Sequence, residues 1–461
     1  MSATRQFAAF IANTRYEDLP PEVVGMVKRD LLDTLAVMLA ATSADKIADL
    51  RRLAETLGSA PEEVSVYGFD CRLPICQAVL VNAAAAFFLD YDDVCLFTGH
   101  FGCTAVPTAL AIAQRQGGIS GKALITACAV AMETVIRLGM GIDMSARNPK
   151  DFAGGWDITQ THGVFTAAII AAKLMGLDED RIIDALGIAY SGSSGQQIGA
   201  REGADTKVLA AAFAARHGIL SALMAQAGLR GPASVFTEHP LSLAGLYYGG
   251  RFDERVLTDG LGSSWHLDHM CFKLWPSCGH THYYLYTILE MVKKHGIRPE
   301  EIQSVSLEAC PMVMPMLEHT DRNLRPQDRQ SCVFNVLWNA ACALCRGQVT
   351  ISEHDEDARN DPAIQAMARR VHAVLRDDLT STADPCAATI ITDRGTFTGT
   401  TVTPPGYFGR PIPEDLLMDK YLDCVAHARK PYTHQQAIEF RELIGRLESL
   451  ADVRPVIDFL A

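Results

Sequence analysis

Most short signatures that announce a cofactor or a nucleophile are missing from this chain of 461 residues. The glycine-bearing run Gly192–Gly199 lacks the Gly-Lys-Ser/Thr ending and the preceding strand of a phosphate or dinucleotide loop. No Gly-x-Ser-x-Gly elbow stands out. Cation excess is also lacking: Lys and Arg number 41 against 54 Asp and Glu, a net charge of −13. That balance argues against nucleic acid or an anionic membrane as partner, and leaves any anionic substrate to a few local cations. No apolar run reaches the ~18 residues of a membrane helix, and no signal-peptide core follows Met1–Arg5. The 13 cysteines follow no regular framework, which favours reduced thiols and a cytoplasmic location. Heptads and repeats of fixed period are absent as well.

What remains is mainly helical. Alanine-rich apolar stretches recur at 79–89, 105–113, 124–136, 164–174 and 208–227, separated by loops of glycine and small residues. Small faces let helices approach closely, so residues 1–265 read as a packed all-helical domain. After residue 265 the pattern changes. Ile302–Ala309 alternates apolar and polar residues as a strand does, and 388–393 and 396–402 flank Arg394-Gly395 as a hairpin. Residues 333–345 and 364–375 read as helices between these strands. Residues 266–404 thus form a smaller α/β unit. Helical periodicity returns at 414–428 and 434–450, so 405–461 is expected to complete the first domain.

Three clusters and one lysine carry candidate chemistry. Lys207 follows Asp205, read as an N-cap, and so falls in the first turn of a helix. That end favours an anion, which an ammonium and free N–H groups could hold together. The alternatives are a lysine of lowered pKa or a solvated surface lysine. Asp90-Tyr91-Asp92-Asp93 ends a helical run, where mutual repulsion and the dipole would raise at least one carboxyl pKa. His100 lies ten residues on, just ahead of a helix that Thr104 could cap. In Gly154–Gly163, Asp157 and His162 either face a site or serve as a cap and a packed core histidine. The run Trp265–His282 holds Lys273, Cys278, His280 and His282. It lacks the Cys-x-x-Cys and His-Glu-x-x-His spacings of zinc sites, so no metal is expected there.

The order of these clusters resembles the MmgE/PrpD family, which includes 2-methylcitrate dehydratase, cis-aconitate decarboxylase and iminodisuccinate epimerase. The resemblance runs through Asn82, Leu89–Asp93, His100, Gly155-Trp156, Lys207 with Gly218, Lys273…Pro276…Cys278…His282, Phe334…Trp338 and Gly406…Lys420-Tyr421. It implies a large all-helical domain with a smaller, lid-like α/β domain, a homodimer, and no metal or organic cofactor. It also implies a catalytic group of Asp90, His100, Lys207 and His282. Asp157, His162, Lys273, Cys278 and His280 are then candidates for substrate binding. The chain departs from the family pattern at Val94, where threonine is usual, at Asp157, where histidine is usual, and at Phe101, where proline is usual.

The chemistry implied is acid–base work at a carbon next to a carboxylate of a small di- or tricarboxylate. Such a reaction builds negative charge on a group already anionic, so cations and donors must be aimed at it. A dehydratase-like lyase is the first expectation. Epimerisation, decarboxylation and carboxylate binding without turnover are the alternatives.

Overall fold

In the computed structural model, residues 2–57, 63–95, 98–142, 155–379, 381, 383–407 and 409–461 are described. Gly154, placed above in the second candidate cluster, lies outside them.

The helices that build the site are α1 (Pro21–Ala41), α2 (Ile75–Phe88), α3 (Gly102–Gln116), α4 (Gly121–Met140), α5 (Ile158–Leu174) and α6 (Thr206–Gln226). Each apolar stretch read from the sequence lies within one of α2–α6, apart from an end residue (Leu89, Ala227). Ser120 starts α4 by accepting from the Ala123 amide, and Asp157 starts α5 by accepting from the Gln160 amide. Small residues set the packing distance between α5 and α6. A Cβ on Gly218 of α6 would stand 2.5 Å from the Ala167 Cβ and 2.6 Å from the Val164 carbonyl oxygen. Only glycine permits that approach. Helix α6 packs on α5 and α2, which brings its first turn to the end of α2.

A short antiparallel pair, β1 (Val64–Ser65) and β2 (Arg72–Leu73), lies against α2. The second region holds α7 (Thr281–His295), β3 (Ile302–Ala309), α8 (Val336–Arg346), β4 (Val371–Leu375), β5 (Ala387–Thr392) and β6 (Gly395–Thr400). The sheet order is β4-β3-β5-β6, with β3 parallel to β4 and antiparallel to β5. The protein is therefore mainly α with a smaller α/β region, as the sequence pattern predicts.

One element differs. The stretch 364–375, expected as a helix, is helical only at Pro362–Ala368 and then becomes β4. Its apolar residues fit a helical spacing, but the Val305 amide donates to the Arg370 carbonyl at 2.8 Å and opens a parallel ladder with β3. Tertiary pairing overrides local periodicity there. Helices α9 (Glu414–Ala426) and α10 (His434–Gly445) return the chain to α1.

The apolar interior falls into two main clusters. One joins residues from Ala3 to Met270 with Ile351 and Tyr421–Leu460, and the other joins Trp275–Ile390. Two smaller groups, Val94–Cys271–Tyr283–Tyr407 and Phe272–Ile412–Leu417, lie where the chain crosses between them. The expectation of no membrane-length apolar helix needs correction. By length and composition α4 and α6 qualify, but 89% and 61% of their apolar windows are buried inside the protein. Apolar length here reflects burial in the bundle.

Candidate active site

Asp90 lies two residues past the end of α2, with φ +51°, a left-handed conformation that an aspartate tolerates better than most residues. The turn aims its carboxylate inward, where it is 2% exposed. Lys207, in the first turn of α6, forms an ion pair with Oδ1. Lys273 Nζ donates to Oδ2 at 2.8 Å and to the Asp90 carbonyl at 2.7 Å, so it also pins the turn. Burial alone would raise the Asp90 carboxyl, but Lys207, Lys273 and His100 outweigh it and hold it well below the usual carboxylate range. Lys207 is thus neither a surface lysine nor preceded by a capping aspartate. Asp205 has helical backbone angles and makes no capping hydrogen bond, its carboxylate instead meeting Lys46 at 2.7 Å. The Lys207 ammonium sits 3.6 Å from the centre of the Phe87 ring and 5.8 Å from that of Phe334.

His100 joins this group from the loop before α3. Its Nε2 is 4.0 Å from Asp90 Oδ1, and its Nδ1 is 3.1 Å from Asp92 Oδ2. The ring meets Phe87 edge-on at 4.7 Å. Thr104 does not cap α3, which begins at Gly102. The carboxylate of Asp93 takes that role, accepting from the Gly102 amide at 2.8 Å and the Phe101 amide at 3.2 Å.

Below His100 lies an acid cluster. Asp93 lies beside Asp30 of α1, and each carboxyl bears on the other's charge. Burial, then the neighbouring Asp92, pushes Asp93 up to about 7, and burial with Asp93, Asp33 and Asp92 nearby pushes Asp30 well above its ordinary value. The pKa increase expected of the motif therefore falls on Asp93, while Asp90 moves the other way. Asp33 is raised by burial and partly relieved by Lys420 of α9, whose Nζ is 2.5 Å from its Oδ1 and donates to the Tyr91 carbonyl at 2.7 Å.

The remaining candidates scatter. Asp157 is the N-cap of α5. Burial raises its carboxyl, with Lys207 and His100 close enough to oppose the shift. His162 is a buried core residue with Nε2 2.7 Å from the Tyr248 hydroxyl. His282 is buried with Nε2 3.1 Å from the Trp275 carbonyl and its ring 5.5 Å from that of Tyr407. Burial, then Lys273, lowers it to about 3. The same causes lower His280 to about 4, and burial raises the Cys278 thiol to about 11. Both His282 and Cys278 feel the charges of Asp90 and Lys273. Among the described residues no set of three or more His, Cys, Asp or Glu side chains is arranged to hold a metal ion.

Sequence reasoning missed the pairing of Asp92 with His100, the Asp30–Asp93 contact and the Lys420–Asp33 bridge. A signal for the last two was present in α1. Asp30 and Asp33 stand three apart on one face of a helix, followed by the almost wholly apolar run 35–41, and unpaired carboxylates buried there are costly.

The chain is similar to known proteins over nearly its whole length. The chain is 25% identical over 461 residues to cis-aconitate decarboxylase of Homo sapiens, covering 98% of this chain and 93% of that protein. It is 26% identical over 462 residues to the enzyme of the same name from Mus musculus, covering 98% and 92%. It is 24% identical over 482 residues to that of Aspergillus terreus, covering 99% and 95%. The MmgE/PrpD N-terminal domain matches residues 5–254, and the MmgE/PrpD C-terminal domain matches residues 275–444. Both domains are present in order along one chain, and the protein belongs to the MmgE/PrpD family.

Proposed function

We propose that this protein is a cofactor-independent lyase acting next to a carboxylate of a small di- or tricarboxylate, with decarboxylation of a cis-aconitate-like acid as its leading chemistry. One observation carries the reading: Lys207 and Lys273 hold the two oxygens of a single buried carboxylate, with an imidazole nitrogen 4.0 Å away. Two ammoniums spaced for one carboxylate can receive another when the substrate competes with Asp90. In decarboxylation the C–C bond breaks, its electron pair stays on carbon, and CO₂ leaves. The lysines stabilise the charge that develops. His100 then delivers a proton to that carbon. The relatives named cis-aconitate decarboxylase favour this step over the dehydration expected first.

A second reading has its own observation. Asp157 stands where the family usually has histidine, and its carboxyl is raised by burial near Lys207 and His100. Two proton-transfer groups on opposite faces of one carbon would invert a stereocentre, which is epimerase chemistry.

Incubation in D₂O with cis-aconitate, methylcitrate and iminodisuccinate, followed by proton NMR, separates these outcomes. Decarboxylation releases CO₂ and adds deuterium at one carbon, dehydration releases water, and epimerisation exchanges a proton with inversion. No change with any acid sinks the proposal. Lys207→Ala should lower kcat/KM by about 10²–10³-fold, the loss typical of one charge-stabilising donor. Full activity in that variant would remove Lys207 from the mechanism.

A further inference from the structure

We propose that Asp92 is a positioning residue: it fixes His100 as the Nδ1–H tautomer and keeps Nε2 turned toward Asp90 and the reacting carbon. A carboxylate only accepts hydrogen bonds, so the ring nitrogen facing it at 3.1 Å carries the proton. Nε2 is then the nitrogen that gains and loses a proton. Its 4.0 Å separation from Asp90 Oδ1 is too long for a hydrogen bond and leaves it to a substrate atom. The ring has little freedom to turn. Phe87 meets it edge-on at 4.7 Å, and the His100 amide is tied to the Thr159 hydroxyl at 3.2 Å.

The surroundings of Asp92 distinguish this role from ordinary packing. Asp92 is fully buried beside Asp30, Asp33 and Asp93, a costly position for a fourth acid. Burial and the neighbouring acids push the Asp30 and Asp93 carboxyls up, and the Lys420 ammonium offsets Asp33. Burial, then the charge of nearby Asp92, pushes the Cys103 thiol up. The hydrogen bond that Asp92 makes from this costly position is the one between its Oδ2 and the imidazole.

The proposal rests on the reading of His100 as the proton donor only for its kinetic consequence. Long-range ¹H–¹⁵N NMR of ¹⁵N-histidine protein at mildly alkaline pH, with His100 assigned by subtraction of His100→Gln, reads the tautomer without any substrate. The unmodified protein should show a protonated Nδ1 and an unprotonated Nε2 at His100. In Asp92→Asn an NH₂ donor replaces a carboxylate oxygen beside Nδ1, so the pattern should reverse. With an active substrate, kcat of that variant should fall by about 10²–10⁴-fold with KM within about threefold. An Nε2–H tautomer in the unmodified protein overturns the proposal without need of a variant. So does an unchanged tautomer, or an unchanged kcat, in Asp92→Asn. A reversed tautomer in a protein that acts on none of the acids upholds the positioning of His100 and discards the proposed function instead.

Discussion

Asp90 and Asp93 stand three residues apart in one motif, both buried, and their carboxyls move in opposite directions. Asp90 is held well below the usual range, while Asp93 is pushed up to about 7. Burial acts on both in the same sense. The difference is the company each keeps: two ammoniums and an imidazole around Asp90, the carboxyls of Asp92 and Asp30 beside Asp93. Charge at this site is therefore assigned by contacts made across the fold. Lys207 arrives from α6, Lys273 from the crossover to the second region and Asp30 from α1. The result is one anion between two cations, beside a pair of acids whose carboxyls burial pushes up.

The largest effect should come from removing that anion. Asp90→Asn keeps the shape, and asparagine also tolerates the left-handed turn, so the change isolates charge from backbone strain. Two buried ammoniums lose their partner, and breaking a buried pair in this way costs about 3–5 kcal/mol. Urea unfolding should show a lower midpoint at an unchanged slope. Succinate should then raise the melting temperature of Asp90→Asn more than that of the unmodified protein, since a free carboxylate can take the vacated place. A variant as stable as its parent would mean that Asp90 is no counter-ion at all.

Local pattern made the helices readable, because alanine-rich stretches and caps such as Asp157 act within a few residues. It also placed Lys207 in the first turn of a helix. What it could not supply was the sign of each environment. Asp205 looked like a cap because it precedes the helix, yet its carboxylate reaches Lys46, 159 positions away in the chain. Residues 364–375 carried a helical period, and only pairing with β3 turned the second half into a strand. The resemblance to a family brought Asp90, His100 and Lys207 together before any geometry was known. The acids of α1, by contrast, acquire meaning only when Asp93 is seen against them.

A smaller effect, of opposite sign in pH, separates the two aspartates further. Asp93 keeps its proton in the folded state up to about 7, whereas its ordinary value is 3.8. Between those values the folded protein binds more protons than the unfolded chain, so the contribution of Asp93 to stability falls as pH rises through the window. At about 1.4 kcal/mol per unit, the window amounts to a few kcal/mol. Asp90 works the other way: its contribution is complete above its unfolded value and is lost as pH falls below it. Asp93→Asn does not titrate, so its stability relative to the parent should improve steadily from pH 4 to 7 and then level off. Parallel stability curves for the two proteins would show that Asp93 ionises normally.

The weakest effect tests the same contrast at the surface. Lys46 and Asp205 form an ion pair at 2.7 Å with side chains 62% and 51% exposed. Water screens such a pair, and exposed pairs contribute about 0.2–1 kcal/mol. A true N-cap would cost about 0.5–2 kcal/mol on truncation to alanine, so magnitude alone separates the two roles poorly. Salt separates them better. At about 1 M the screening length shrinks to about 3 Å, which erases a surface ion pair but leaves a capping hydrogen bond in place. Asp205→Ala should therefore lose a fraction of a kcal/mol at low salt and almost nothing at high salt, with Lys46→Ala following the same course. The loss in Asp90→Asn should persist at high salt, because ions do not reach a carboxylate sealed between two buried lysines.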